Sequence, residues 1–492
     1  MHSEKLEKAR AYEKREAARV PEFQRPAFHM SVPIGWMNDP NGFSFYKGDY
    51  HLFFQYNPYG THWDTMHWGH VRSKDLVTWE YLPAALAPDE PYDEAGVFSG
   101  TAMEADGKHI LMYTGVTEHM GPDGKKVIRQ NQCIAVGDGE NYVKLSANPV
   151  ITGDMLPAGC SREDFRDPKI WMENGVFYAA AANRAEDGSG QIALFTSGDG
   201  EKWSFHSMLD KCENRLGRMW ECPDFFPLDG RQVLLLSPQD MMAQGLEFHG
   251  GNNAAFLLGD YDRETCRFSR ETVQSADYGL DFYAPQTLEA PDGRRILIGW
   301  MKSWDADLLL DGFRWNGMMT FPRELTLREG RIFQNPVEEI WKYYGKEIVY
   351  RHVELQGQRE FEGISGRTLD LTVEAEAGSY EAFRIFVAKN ERFETVISYD
   401  PGTSVLTFDR TGCGVRRDCA CLRRIAVRKQ EGRLKLRILL DKYSAEIFVN
   451  DGESVLTSLV PTPLEADRIV FETEGKAEVS MTCHEVRKSE SR

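Results

Sequence analysis

Three acidic residues far apart in the chain have similar neighbours: Asp39 in GWMNDPNG (35–42), Asp167 in FRDP (165–168) and Glu221 in WECPD (220–224). Two carboxyl groups flanking a sugar are the usual equipment for hydrolysing a glycosidic bond. One attacks the anomeric carbon or activates water, and the other protonates the leaving oxygen. A proline follows Asp39 and Asp167 directly, which biases both acids towards extended backbone and fixes the direction of each carboxylate. Glu221 lies between Trp220 and Cys222, an apolar setting of the kind that keeps a general acid protonated. Each acid also has a plainer reading. Asp-Pro-Asn-Gly is a strong turn sequence by itself, Asp167 can form a simple ion pair with Arg166, and an acid between two apolar residues can serve structure alone.

The three acids can act together only if the fold gathers them. Short β-type runs separated by Gly, Asn and Asp turns recur from about residue 39 to 335, and the chain reads as all-β. Within that span a unit repeats, opening on a polar step into an apolar strand. The openings are NDPNGFSFY from Asn38, FSGTAME from Phe98, FRDPKIWM from Phe165, WECPDFFPL from Trp220 and FYAPQTLEA from Phe282. Two closings are close cousins, SKDLVTWEYL (73–82) and SGDGEKWSFH (197–206). Five openings spaced by roughly 50 to 70 residues predict a five-bladed β-propeller, the first side chains of whose innermost strands meet at one end of the central channel. Asp39, Asp167 and Glu221 are then neighbours. Beyond residue 345 alternating strands, such as RLKLRILL and AEIFVNDGESVLTSLV with its Asn-Asp-Gly hairpin signal, predict a C-terminal β-sandwich. The expected organisation is an N-terminal charged helical extension over 1–26, a propeller over 27–345 and a sandwich over 346–492.

Composition narrows the partners. With 41% hydrophobic and 12% aromatic residues in 492, the chain can bury a large core. Its net charge of -18 repels phosphate backbones and anionic membranes, so neither nucleic acid nor membrane is an expected partner. The first 20 residues carry mixed charge and no apolar core of the secretory kind, and they read as a short exposed helix. Nine scattered cysteines read as reduced thiols of a cytoplasmic protein. GSGQIA (188–193) is a hairpin turn and not a dinucleotide loop, because no helix follows it. His62, His67 and His70 lack the spacing of a metal site and suit a structural or substrate-shaping role. No Gly-x-Ser-x-Gly elbow is present.

GWMNDPNG, followed by FFQYNP (53–58), HWGHVRSKDLVTWEYLPAAL (67–86), FSG (98–100), FRDP, ECPD, FYAPQ (282–286) and FVNDGE (448–453), resembles the invertase and fructanase family of glycoside hydrolases over nearly the whole chain. Within that family it looks most like the bacterial intracellular sucrose-6-phosphate hydrolases and β-fructofuranosidases. The resemblance implies a five-bladed propeller with a β-sandwich and a retaining fructofuranosidase without metal or organic cofactor. It makes Asp39 the nucleophile, Glu221 the acid/base and Asp167 the acid that holds the fructose hydroxyls. Asn38, Gln55, Trp63, Phe98, Ser99 and Arg166 would line the fructose pocket. Trp300, in ILIGWM, is either a further pocket residue or a core tryptophan. Thr101 after FSG and the loose stretch RWNGMMTFPREL (314–325) depart from the family pattern and leave leaving-group specificity open. The implied substrate is a small sugar: sucrose, sucrose 6-phosphate or a short fructo-oligosaccharide. A fructosyltransferase would share the same acids, and a silent sugar-binding protein is the alternative from another class. Oligomeric state, monomer or homodimer, is not determined by sequence.

Overall fold

The structure, a computed structural model, describes residues 3–487 apart from 307, 309, 311, 377–378, 416–418 and 429–432. Five antiparallel sheets follow one another along the chain from Gly35 to Pro336, and the first four strands of each form a blade in sequential order. The innermost strands are Gly35–Tyr46, Gly96–Ala105, Cys160–Glu173, Met219–Leu228 and Tyr283–Glu289. Each of the five opening motifs falls on one of them. The two cousin closings are also alike in structure, for Ser73 Oγ bonds Asp75 Oδ1 at 3.2 Å and Ser197 Oγ bonds Asp199 Oδ1 at 3.1 Å. In both, the aspartate then accepts backbone N–H groups two and three residues on, the Asx-type turn that joins third and fourth strands. The stretch GSGQIA forms the hairpin turn that the absence of a following helix predicts, between strands Val176–Ala185 and Gly190–Ser197.

The ring of blades closes without sharing a strand of blade five with blade one. Trp315–Asn316, between the second and third strands of the last blade, runs parallel to Gly35 and Trp36 of the first. Met319 N bonding Met30 O at 2.8 Å extends the closure. Adjacent blades are then sealed by apolar layers, such as Ile192, Leu194, Leu234 and Leu257 between blades three and four.

A 3-10 turn over Glu338–Tyr343 leads into the second unit. Its two layers share one pair of long strands, Tyr344–Arg359 and Arg468–Val486. Residues 479–485 of the latter pair with Leu369–Ala375, whereas residues 468–476 pair with Ser379–Lys389, so the same strand serves both layers and bends between them. Gly475, at φ +99, sits at the bend, and a Cβ there would lie 2.2 Å from Ser379 O. Leu371, Ile385, Ile397, Leu406, Ile438 and Ile447 pack between the layers.

Buried charge joins the two units. Arg323 of blade five is fully buried and bonds Asp277 at 2.9 Å and Glu446 at 3.0 Å, with Thr457 beside it. Glu446 also meets His29 Nε2 at 2.7 Å, and His29 Nδ1 meets Asp441 at 2.9 Å. The N-terminal helix, Glu4–Ala17, is capped by Ser3 and is not free in solvent. Leu6, Ala9, Glu13 and Glu16 are buried against blade one and the closing segment. Two glutamates in the contact stripe hide its amphipathic pattern from the sequence. Glu13 accepts from Ala84 N at 2.8 Å and Glu16 from Arg314 at 2.6 Å. Among the described residues no helix is long and apolar enough to cross a membrane.

Candidate active site

Every innermost strand is broken by a register shift at its opening motif. The breaks fall between Met37 and Pro40, Phe98 and Gly100, Arg166 and Lys169, Glu221 and Asp224, and Tyr283 and Gln286. An unbroken strand sends neighbouring side chains to opposite faces, but a bulge re-aims one of them. In register, the five blades supply two tiers of side chains: Asn38, Phe98, Arg166, Glu221 and Tyr283 in one, Asp39, Ser99, Asp167, Cys222 and Ala284 in the next.

Bonds between blades tie these tiers together. Ser99 Oγ donates to Asp39 Oδ2 at 2.7 Å. Cys222 Sγ stands 3.6 Å from that oxygen and 3.7 Å from Asp167 Oδ2, which also accepts from Cys222 N at 3.0 Å. Glu221 belongs to the other tier. Arg166 Nε donates to its Oε1 at 2.9 Å, while Gln239 Nε2 and Tyr283 OH each donate to its Oε2 at 2.7 Å. The apolar setting expected of Glu221 is therefore replaced by an arginine and two polar donors. Trp220 and Cys222 are indeed buried, but the strand turns the carboxylate between them away from their packing.

The backbone also departs from expectation. Asp167, although followed by proline, has φ +59, and Cys222 and Ala284 at the matching places before Pro223 and Pro285 have φ +49 and +50. Such left-handed conformations cost a non-glycine residue on the order of 1–3 kcal/mol. Neighbouring blades hold them: Asp167 N bonds Thr114 Oγ1 at 3.0 Å and Ala284 N bonds Ser237 Oγ at 3.1 Å.

Three carboxylates and one guanidinium in so small a volume perturb one another. Burial first, then the charge of Glu221, raises Asp39 above the usual carboxylate range. The same two causes push Asp167 up to about 7 against the opposing pull of Arg166. Burial works against the charge of Arg166, but Glu221, Asp167 and Asp164 together hold its proton more tightly than usual. Burial and the flanking acids push the Cys222 thiol and the Tyr283 phenol well upwards, so both remain protonated donors. The site can thus keep a proton on one acid while another is ionised, which acid/base and nucleophilic steps at one carbon require.

The remaining predicted residues surround this centre. Asn38 is oriented by Trp36 Nε1, which donates to its Oδ1 at 2.9 Å. Gln55, buried on the second strand of blade one, donates to Val97 O at 3.0 Å. Trp63 is 46% exposed on the loop after that strand and stands edge-on to Phe98, with ring centroids 5.8 Å apart. Trp300 has no exposed surface; it packs on Trp36 at 5.7 Å and Trp304 at 5.0 Å, behind the channel wall. The three histidines part company. His62 lies exposed on the Trp63 loop, while His70 is buried and shares a 2.9 Å contact with His51.

Cys222, Tyr283 and Gln239 contact the acids without having been singled out from sequence. The first two lie inside WECPD and FYAPQ, at the register positions that carry acids in other blades, so alignment of the repeats could have found them. Gln239 comes from the strand beside Glu221 and carries no such signal.

The propeller and sandwich, with three carboxylates and an arginine gathered where the inner strands begin, define a glycoside hydrolase. The chain belongs to glycosyl hydrolase family 32. Its residues 29–336 match the Glycosyl hydrolases family 32 N-terminal domain and 340–485 the family's C-terminal domain. It is 35% identical over 477 residues to a sucrose-6-phosphate hydrolase of Zymomonas mobilis, covering 92% of this chain and 90% of that one. Raffinose invertase of Escherichia coli is 35% identical over 441 residues, covering 88% and 89%. In three dimensions the chain is similar to a Bombyx mori β-fructofuranosidase mutant in complex with sucrose, with a TM-score of 0.87, 32% identity and 99% of each chain covered.

Proposed function

We infer that the protein hydrolyses the terminal β-D-fructofuranosyl bond of sucrose, sucrose 6-phosphate or a short fructo-oligosaccharide with retention of configuration. The observation that carries this reading is the meeting of Asp39 and Asp167 at the single thiol of Cys222, beside a Glu221 held by Arg166, Gln239 and Tyr283. In this mechanism Asp39 attacks C2 of the fructosyl unit while Glu221 protonates the glycosidic oxygen, and the leaving sugar departs. Glu221 then takes a proton from water, which attacks C2 and frees Asp39. Asp167, Asn38 and Arg166 bind the fructose hydroxyls and oppose the positive charge that builds at the ring, and Ser99 fixes Asp39. Gln55, Trp63 and Phe98 enclose the sugar and exclude water; Trp300 supports them through Trp36. Such a mechanism draws only on side chains of the chain and involves no cofactor.

The likeness to a sucrose-6-phosphate hydrolase and a raffinose invertase supports a small fructoside as substrate. Nine unpaired cysteines support a reducing, cytoplasmic setting. On the same reading the chain divides into an extension over 1–26, a catalytic propeller over 27–345 and a sandwich over 346–492. Side-by-side assays on sucrose, sucrose 6-phosphate, kestose and inulin, with early products followed by NMR, test the proposal. β-Fructofuranose as first product from at least one substrate is expected, and the α-anomer would refute retention. Predominantly longer oligosaccharides at high sucrose would make the protein a transferase. Asp39→Ala should abolish turnover without lowering the unfolding midpoint, and near-normal rates would remove Asp39 as nucleophile.

A further inference from the structure

The N-terminal helix lies outside the residues matched by the family's N-terminal domain, which begin at residue 29. It nevertheless touches the active-site mouth by two routes. Tyr12 packs edge-on against Tyr59 with ring centroids 5.1 Å apart, and Lys8 Nζ stands 5.8 Å from the same Tyr59 ring. Glu16 bonds Arg314 at 2.6 Å, and Arg314 O accepts from Gly35 N at 3.0 Å, in the segment that closes the propeller. Two residues on, Asn316 Nδ2 donates to Thr61 O at 3.0 Å. Both routes end on the loop 59–65, whose residues are largely exposed and which carries Trp63 to its place against Phe98. Inside the loop, Asn57 donates to His62 O at 2.9 Å and accepts from Tyr59 N at 3.0 Å. The carboxylates themselves are held separately, by the bonds between blades.

We propose that the N-terminal helix is a positioning element of the active-site mouth, setting the 59–65 loop through Tyr59 and Asn316 so that Trp63 stands where it grips a bound fructoside. This rests on the fructosidase reading for its substrate but not for its geometry. Because the helix acts on the mouth and not on the acids, its loss weakens substrate binding and leaves the bond-breaking step intact. Losing one aromatic contact, worth about 0.5–1.5 kcal/mol, corresponds to a KM rise of about 2- to 10-fold.

Removing residues 1–20 also removes Leu6 from the core and risks unfolding, so the test uses point variants of the full chain. Tyr12→Ala should raise KM for sucrose with kcat unchanged, and Tyr12→Phe, which keeps the ring contact, should restore the parent KM. Hydrogen–deuterium exchange without substrate should quicken over 57–66 in Tyr12→Ala and stay constant over the inner strands. Trp63→Ala should raise KM as well, and adding Tyr12→Ala to it should add nothing, because both act through one side chain. Unchanged loop exchange, additive KM effects, or a kcat that falls in step with thermal stability would each overturn the proposal. If the parent cleaved no fructoside, the functional reading would fail, and loop exchange would still decide whether the helix braces the mouth.

Discussion

Replacing Asp167 by asparagine should make the protein more stable at alkaline pH while disabling it. The Asp167 side chain is buried, and its carboxyl is pushed from 3.8 up to about 7 by burial and by Glu221. Below the unfolded value both folded and unfolded chains hold the proton, and the residue contributes no slope. Between about pH 4 and 7 only the folded chain holds it, so stability declines as pH rises. Above 7 the folded chain carries a charge it disfavours by about 4 kcal/mol, at about 1.36 kcal/mol per pH unit. Asparagine has no charge to bury, and its carbonyl can still accept from Cys222 N. With an unfolding entropy of about 2 cal/mol/K per residue, a chain of this size shifts its Tm by roughly 1 °C per kcal/mol. Asp167→Asn should therefore melt about 2–4 °C higher than the parent at pH 8, the gain vanishing near pH 4, as followed by scanning fluorimetry or calorimetry across pH. Turnover should meanwhile fall by about 10²–10³, the scale of one lost electrostatic contact to the transition state. A lower Tm at pH 8, or a difference independent of pH, would refute the claim that Asp167 is held against its preferred protonation.

Glu221→Gln should slow sucrose severely but spare a fructoside with an activated leaving group, since only the former needs a proton on departure; equal losses on both would remove Glu221 as acid. Burial opposes the charge of His29, yet Asp441 and Glu446 raise it to about 9. Its contribution is full below pH 6.5 and disappears as pH rises through 9, so parent stability should drop by about 3 kcal/mol over that window and the His29→Gln profile should be flatter. Arg323→Met strands Asp277 without a cation and leaves Glu446 with His29 alone, and should cost about 3–5 kcal/mol in denaturant unfolding, with propeller and sandwich probes shifting together.

Much of this molecule was legible as sequence because its repeats are local. The five openings are strands whose apolar stretches and turn residues must lie together, and a propeller is the arrangement in which such units stack side by side. Asp39 and Asp167 could be paired at a distance because each is followed by proline at the same place in its unit. The N-terminal helix was harder: its contact face includes Glu13 and Glu16, which pattern reasoning assigns to solvent and which Ala84 N and Arg314 satisfy.

The residue types that can break a glycosidic bond, and the order in which they enter the channel, were determined by sequence. Their working environment was decided by tertiary structure alone. Glu221 has apolar neighbours in the chain, yet its carboxylate meets Arg166 from the blade before and Tyr283 from the blade after. Asp167 should be extended before Pro168, yet the bulge turns it to φ +59, where Cys222 can reach it. The reason is the same in both cases. A strand's own residues set its propensity to extend, but where a side chain points, and which charge it faces, depends on register breaks and on neighbouring blades brought together only when the ring closes.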